Sequence, residues 1–102
     1  MGEVIKLKYM TEGTCNLSFS EALYHLKKGD KVARTGWNGK DMYVFLVNGS
    51  KFTVNREPLI SMFPEGTEIE YRPHLDMKAV DGTIGVWLAS QSDILAEDWY
   101  IA

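Results

Sequence analysis

The sequence predicts an α+β domain in which one N-terminal helix packs on a mostly antiparallel sheet of about five strands. Start and stop signals for a single amphipathic helix flank residues 19–28. Beyond residue 30, short apolar runs alternate with turn sequences, which is typical of strands joined by short connections. The length of 102 residues suits one small domain. We therefore expect a single hydrophobic core between the helix and one face of the sheet.

The predicted helix begins after Ser18 and ends before Gly29. Ser18 and Glu21 have the spacing of a capping box, in which each side chain accepts a hydrogen bond from the other residue's backbone N–H. Gly29 follows two lysines and is a typical C-terminal stop. His25 lies off the main apolar face, and we expect it to be a solvated surface residue. The core-facing residues are Phe19, Ala22, Leu23 and Leu26.

The rest of the chain is expected to form strands separated by turns. Asn38-Gly39, Asn48-Gly49 and Asp81-Gly82 are turn signals. Residues 42–47 form the most hydrophobic run, which predicts a central strand. Residues 51–56 are expected to be extended, residues 59–63 are ambiguous, and residues 90–93 open one helical turn at 94–96. The other predicted strands are 31–35, 68–72, 74–80, 83–88 and 98–101.

Residues 1–17 are expected to form an N-terminal arm, and residues 18–102 the domain itself. Ile5, Leu7 and Tyr9 alternate with lysines in the arm, which suggests a short strand or an ordered extension. We find neither a signal peptide nor an apolar run of the roughly 18 residues that span a membrane. The single cysteine, Cys15, fits a reducing cytosol.

Charge and motifs exclude several function classes. The net charge of −3 and the absence of a basic stripe argue against long nucleic acid as a partner. No Gly-x-Ser-x-Gly elbow or phosphate-binding glycine loop is present, so we expect neither a nucleophilic triad nor an ATP or dinucleotide cofactor. His74 and Asp76 lie on one face of a predicted strand and could begin a metal site. A third ligand is not evident, and we expect an exposed strand face and no metal.

Aromatic residues are numerous, with four Phe, five Tyr and three Trp. Trp37 and Asn38 lie in a polar turn beside Lys40, and Trp87 precedes a polar helix start. Each tryptophan could stack on a base while nearby groups meet phosphate, or it could pack on the protein's own core. These alternatives stay open from the residues alone. The rings that we assign to the core are Phe19, Tyr43, Phe45 and Trp99.

Two blocks of the sequence are the most specific: Trp37 lies in Gly-Trp-Asn-Gly, and Trp87 lies in Trp-Leu-Ala-Ser-Gln-Ser-Asp. These and several further blocks resemble the Thoeris anti-defence 2 family of phage and prophage proteins. The resemblance covers about residues 18–101. The blocks that carry it are 19–22 with 29–32, 34–40, 71–78, 81–83 and 87–99.

The resemblance implies a phage protein that counters bacterial immunity in the host cytoplasm without catalysis. Family members bind a cyclic ADP-ribose isomer, some also hold cyclic di- or trinucleotides, and they are homotetramers with pockets between protomers. Trp37 would then stack on the adenine and Asn38 would hydrogen-bond beside it. Arg34 and Arg72 would be phosphate partners. The residues expected to contact ribose hydroxyls and phosphate are Trp87, Ser90, Gln91 and Asp93.

Two other function classes remain open. One is a small phage enzyme that degrades the same signal, and it predicts turnover of the ligand. The other is a non-catalytic interaction protein of the virion or prophage with buried tryptophans.

Overall fold

The first helix has every capping signal that the sequence predicts. In the computed structural model, which describes residues 14–102, helix α1 spans Phe19–Lys28. The Ser18 hydroxyl accepts a hydrogen bond from Glu21 N, and the Glu21 carboxylate accepts one from Ser18 N. Gly29 ends the helix with φ 106°, a left-handed conformation that favours glycine. The prediction of the helix and its bounds is confirmed.

Five antiparallel strands form the main sheet, and a further two form a two-stranded ribbon. The order in the main sheet is β6-β5-β2-β1-β7, so the strand predicted as central is central. The ribbon pairs β3 with β4. The strands among residues 14–102 are β1 (Val32–Arg34), β2 (Tyr43–Val47), β3 (Ser50–Thr53), β4 (Glu68–Tyr71), β5 (His74–Lys78), β6 (Ile84–Val86) and β7 (Trp99–Ile101). The predicted α+β class, with one main helix and a five-stranded sheet, is confirmed.

Helix α1 covers one face of the main sheet, and the core lies between them. Val32 and Val44 are paired across β1 and β2 and are fully buried on this face. Trp99 of β7 is also fully buried there, as predicted. Phe19 packs on Trp99 with ring centroids 5.5 Å apart, which agrees with its core assignment. The buried core residues are Leu17, Ala22, Leu26, Val32, Val44 and Trp99.

The ribbon of β3 and β4 continues the pair of β2 and β5 in the main sheet. Val47 pairs with His74 and Ser50 pairs with Tyr71, so the same register runs through both sheets. The turn predicted at Asn48-Gly49 is therefore wrong. An added Cβ on Gly49 would lie 2.7 Å from the carbonyl oxygen of Tyr71. Gly49 is needed for close approach of the two strands and not for chain reversal.

Tyr43 and Phe45 do not lie in the core, contrary to expectation. They alternate with the buried Val44 and belong to the face that neither helix covers. Register places three rows on this face. We call this uncovered face of the sheet the open face. Its rows of cross-strand neighbours are Tyr43–Lys78–Ile84, Phe45–Asp76–Val86 and Val47–His74, and the last row continues towards Leu88.

The edge strand β7 is paired with residues at the start of the described chain. Leu17 and Trp99 form a two-way backbone bridge, and Ile101 N donates to Thr14 O. Leu17, the last residue of the predicted arm, is buried. The alternation predicted for Ile5, Leu7 and Tyr9 lies outside the described residues.

Smaller differences concern the second helix and the segment before β4. Helix α2 spans Gln91–Leu95, so it begins three residues earlier than predicted. The ambiguous segment contains a short 3-10 helix at Leu59–Ser61. No helix among residues 14–102 has the length and apolar character needed to cross a membrane.

His25 is not a freely solvated residue. Its side chain is only 15% exposed, and its Nδ1 forms a 3.0 Å hydrogen bond with an oxygen of Asp30. The helical spacing showed that His25 lies off the core face, but Asp30 lies beyond the helix end. The hydrogen bond between His25 and Asp30 connects the C-terminal end of α1 with the segment that precedes β1.

Candidate functional site

The two tryptophan blocks meet at the end of the sheet where β1 finishes and β7 begins. Trp37 lies in the turn after β1, and Trp87 directly follows β6. Their ring centroids are 6.4 Å apart, and both rings pack edge-on against Trp99, at 5.3 and 6.0 Å. Such edge-to-face packing is favourable between aromatic rings. The sheet therefore joins two segments that are distant in sequence.

Arg34 links the turn of Trp37 to two acidic residues of the second block, Asp93 and Asp98. Its Nη1 donates a hydrogen bond to Asp93 and its Nε donates one to Asp98, and both are 2.8 Å long. Asp98 also accepts a 2.8 Å hydrogen bond from the backbone N–H of Gly36. The carboxylate of Asp98 thus holds both the end of β1 and the beginning of the turn.

Asp93 occupies the centre of this arrangement and is the one buried charged residue in the described part of the chain. One of its oxygens accepts hydrogen bonds from Arg34 and from the Trp37 indole N–H, and the second of these is 3.2 Å long. The other oxygen accepts from Ser90 N, and the Ser90 hydroxyl accepts from Asp93 N. This is a capping box that begins α2. Asp93 therefore fixes both the helix start and the angle of the Trp37 ring.

The hydrogen bonds keep this cluster charged. Burial raises the pKa of Asp93, but hydrogen bonds from Arg34, Ser90 and Trp37 outweigh it and leave the pKa below its ordinary value of 3.8. The Arg34 hydrogen bond similarly lowers the pKa of Asp98, aided by Gly36 N. The two carboxylates raise the pKa of Arg34. All three side chains are ionised at neutral pH.

A cleft of about 550 Å³ adjoins this cluster. Its volume lies within the range typical of small-molecule sites. Trp37 supplies aromatic surface, while Arg34 and Lys40 supply positive charge. The cleft-lining residues are Arg34, Thr35, Trp37, Gly39, Lys40, Asp41 and Tyr100.

The predicted site residues fall into three groups. Trp37, Trp87, Asp93 and Arg34 are brought together, although Asp93 and Arg34 bind each other and the turn. Asn38, Ser90 and Gln91 are exposed next to this cluster, at the turn and at the start of α2. Arg72 lies between β4 and β5, and within residues 14–102 no hydrogen bond or ion pair connects it with the other seven. The structure places seven of the eight in one region.

Three residues of this region were not predicted as site residues. Asp98 accepts hydrogen bonds from Arg34 and from Gly36 N and so holds the turn of Trp37. Tyr100 and Asp41 line the cleft, but neither belongs to a recognisable motif. The alternation of β7 places Tyr100 on the face opposite Trp99, and only the packing of the turn against β7 brings it to the cleft.

The metal-site alternative at His74 and Asp76 gains no third ligand from residues 14–102. His74 Nε2 lies 3.5 Å from Asp76 Oδ1. Among the described residues no group of three His, Cys, Asp or Glu side chains could hold a metal ion. The two side chains are neighbours on the open face.

Comparison with known proteins agrees with the motif blocks. The family profile described as "Thoeris anti-defense 2-like domain" matches residues 17–102. A protein of Bacillus phage SP01 named "Thoeris anti-defense 2" is 40% identical over 90 residues, which covers 83% of this chain and 93% of that protein. The matched region begins at Leu17, the first buried core residue within residues 14–102.

Proposed function

Because this chain belongs to the Thoeris anti-defence 2 family, and is thus a phage anti-defence protein, we propose that it binds a cyclic nucleotide signal of the bacterial host and holds it unchanged. The proposed ligand is a cyclic ADP-ribose isomer, with cyclic di- or trinucleotides as further candidates. Binding would take place in the cytoplasm of the infected cell. In this proposal the protein catalyses no reaction and acts by lowering the free concentration of the signal.

The observation that carries this proposal is the convergence of Trp37 and Trp87 beside a cleft with two cationic side chains. A cyclic nucleotide presents a planar base and anionic phosphate groups. The exposed part of the Trp37 ring offers a stacking surface, and Lys40 offers an ammonium group for phosphate. Asn38 is exposed beside the ring and can bond to base edges.

Arg34 and Asp93 act in this proposal mainly by positioning. Asp93 accepts a hydrogen bond from the indole N–H of Trp37, and a hydrogen bond from Arg34 holds Asp93 in place. A fixed ring loses less conformational entropy on binding than a mobile one, which favours tight capture. The Nη2 group of Arg34 takes no part in the two ion pairs and is available to a phosphate oxygen.

We further propose that the site is completed in a homotetramer. The cleft of one protomer opens towards solvent and is lined on one side by Tyr100, which lies on the face of the sheet opposite the buried Trp99. A second copy lying against that face would close the cleft. Enclosure removes water from the ligand and strengthens its polar contacts.

Isothermal titration calorimetry with the cyclic ADP-ribose isomer tests the proposal. Loss of one base–aromatic stack costs about 1–3 kcal/mol, so Trp37→Ala should weaken binding by about 5- to 150-fold. Tyr24→Ala is the matched control, because Tyr24 is an exposed aromatic of α1 that lies outside the tryptophan cluster. Equal affinities of Trp37→Ala and wild type, or an equal loss in both variants, would refute this site.

A further inference from the structure

Two Asn-Gly pairs of the chain, Asn38-Gly39 and Asn48-Gly49, share one local chemistry but lie in different structural settings. In such a pair the backbone nitrogen of glycine can attack the side-chain carbonyl carbon of asparagine, because glycine has no Cβ to block the approach. The attack closes a five-membered ring and releases the side-chain amide as ammonia. In a folded protein the reaction requires that both residues can reach the geometry of the ring.

The first pair lies in the turn between β1 and β2, and Asn38 is exposed to solvent. Neither Asn38 N nor Gly39 N donates a hydrogen bond to any group of residues 14–102. The nitrogen that would attack is therefore not held by a backbone hydrogen bond in this part of the chain.

The close neighbours of Gly39 are the far ends of side chains. An added Cβ at this position would meet Cγ2 of Val80 and Sδ of Met42. Val80 is 59% exposed and can move aside into solvent. Rotation of the Gly39 backbone thus displaces side-chain ends and leaves the neighbouring strands in place.

The second pair is held in the antiparallel ribbon. Asn48 and Gly49 connect β2 with β3, and these strands pair with β5 and β4 in one continuous register. An extended backbone turns the glycine nitrogen away from the asparagine side chain, so ring closure requires a rotation of the chain. An added Cβ on Gly49 would lie 2.7 Å from the backbone oxygen of Tyr71. Rotation at this position must open the ribbon locally, which costs free energy.

We propose that Asn38 is a site of spontaneous deamidation in the folded protein and that the ribbon protects Asn48 from the same reaction. The Gly39 nitrogen forms a bond to Cγ of Asn38, the bond between Cγ and Nδ2 breaks, and the glycine N–H proton leaves with the ammonia. Water then opens the cyclic imide at either of its carbonyl carbons, which leaves aspartate or isoaspartate at position 38. Both products carry a negative charge where the amide is neutral, and no oxidant or reductant takes part.

The new charge arises beside the cleft. Trp37 and Gly39, the two neighbours of Asn38, both line it. Arg34 and Lys40 give the same cleft its positive charge. A carboxylate at position 38 attracts these cations and repels a phosphate group. Deamidation therefore converts the site into a form with weaker affinity for an anionic nucleotide, and this consequence, unlike the reaction itself, rests on the proposed function.

Peptide mapping by mass spectrometry tests the reaction in the full-length protein. Trypsin cleaves after Lys40 and Lys51, so the two Asn-Gly pairs fall in separate peptides. The protein is incubated at neutral pH, folded or in urea, and in urea both pairs should react at similar rates. In the folded protein Asn38 should react within about threefold of its rate in urea, whereas Asn48 should react at least about tenfold more slowly than in urea. Equal protection of the two residues by folding, or stronger protection of Asn38, would overturn the proposal.

Calorimetry with the cyclic ADP-ribose isomer tests the consequence for binding. Asn38→Asp introduces the charge of the product and should weaken binding on the order of tenfold. Asn48→Asp is the matched control, because Asn48 is also exposed but does not line the cleft, and it should bind like wild type. Both variants should keep the near-ultraviolet circular dichroism of the folded domain.

The two experiments separate the reaction from the proposed function. Equal affinities of Asn38→Asp and wild type would overturn the loss of binding and leave the reaction standing. A wild type that binds no cyclic ADP-ribose isomer would refute the proposed function, and the peptide map would still decide whether Asn38 deamidates.

Discussion

Replacing Asp93 by asparagine tests whether one buried carboxylate organises the candidate site. Asparagine has the same shape but no charge, and it offers one acceptor where aspartate offers two. The oxygen that meets Arg34 and Trp37 can be retained. The other position becomes an NH₂ group facing Ser90 N–H, so two donors oppose each other where a hydrogen bond existed.

The magnitude follows from these contacts. Loss of half of a capping box at α2 costs about 1 kcal/mol. Conversion of the charge-assisted hydrogen bond from Arg34 into one to a neutral acceptor costs about another 1 kcal/mol. Asp93→Asn should therefore lower the free energy of unfolding by about 2 kcal/mol. For a domain of this size the midpoint of thermal unfolding should fall by about 10 °C.

Thermal unfolding followed by circular dichroism measures the effect, at one fixed protein concentration because assembly raises apparent stability. Asp81→Asn is the matched control: Asp81 also accepts two hydrogen bonds, from Thr83, but it is exposed. Its midpoint should stay within about 2 °C of wild type. An Asp93→Asn protein as stable as the Asp81→Asn protein would refute the central role of Asp93.

Two further predictions concern acid stability and the tryptophan turn. The folded-state pKa values of Asp93 and Asp98 lie below the ordinary 3.8, so their stabilising contribution is complete above that pH and is lost as the pH falls through the folded values. In urea unfolding, the stability difference between wild type and Asp98→Asn should shrink towards zero as the pH falls below 3.8, and a constant difference would contradict this. An added Cβ on Gly39 would collide with Val80, whereas one on Gly85 meets nothing within 4 Å. Gly39→Ala should destabilise by about 1–3 kcal/mol more than Gly85→Ala in the same assay, and equal stability of the two would contradict the close packing of the turn.

The sequence predicts best those elements whose signals are local. The bounds of α1 follow from Ser18, Glu21 and Gly29, because a cap is formed by residues within a few positions of each other. The central place of β2 also follows from its own composition. The turn expected at Asn48-Gly49 is absent. Gly49 instead allows its strand to lie close to the backbone of Tyr71, which belongs to a strand distant in sequence.

The sequence blocks contain most of the residues that meet in this region, but they do not show the contacts between them. The blocks around Trp37 and Trp87 are visible in the sequence, and the sheet brings them together. That Asp93 and Arg34 bind each other depends on β1 and α2 meeting in space, which no local spacing encodes. Tyr43 and Phe45 were misassigned to the core for a related reason: hydrophobicity alone does not show which sheet face a helix covers.

Recovery of the ligand after binding is the most direct test of sequestration. The protein is saturated with the cyclic ADP-ribose isomer, freed of unbound ligand, and denatured by heat, and the released compound is identified by chromatography. We predict release of intact cyclic ligand in a stoichiometric amount after prolonged incubation. A linearised product would show that the protein degrades the signal, and no recovered ligand would show that it does not hold it. Either result would contradict the proposed function.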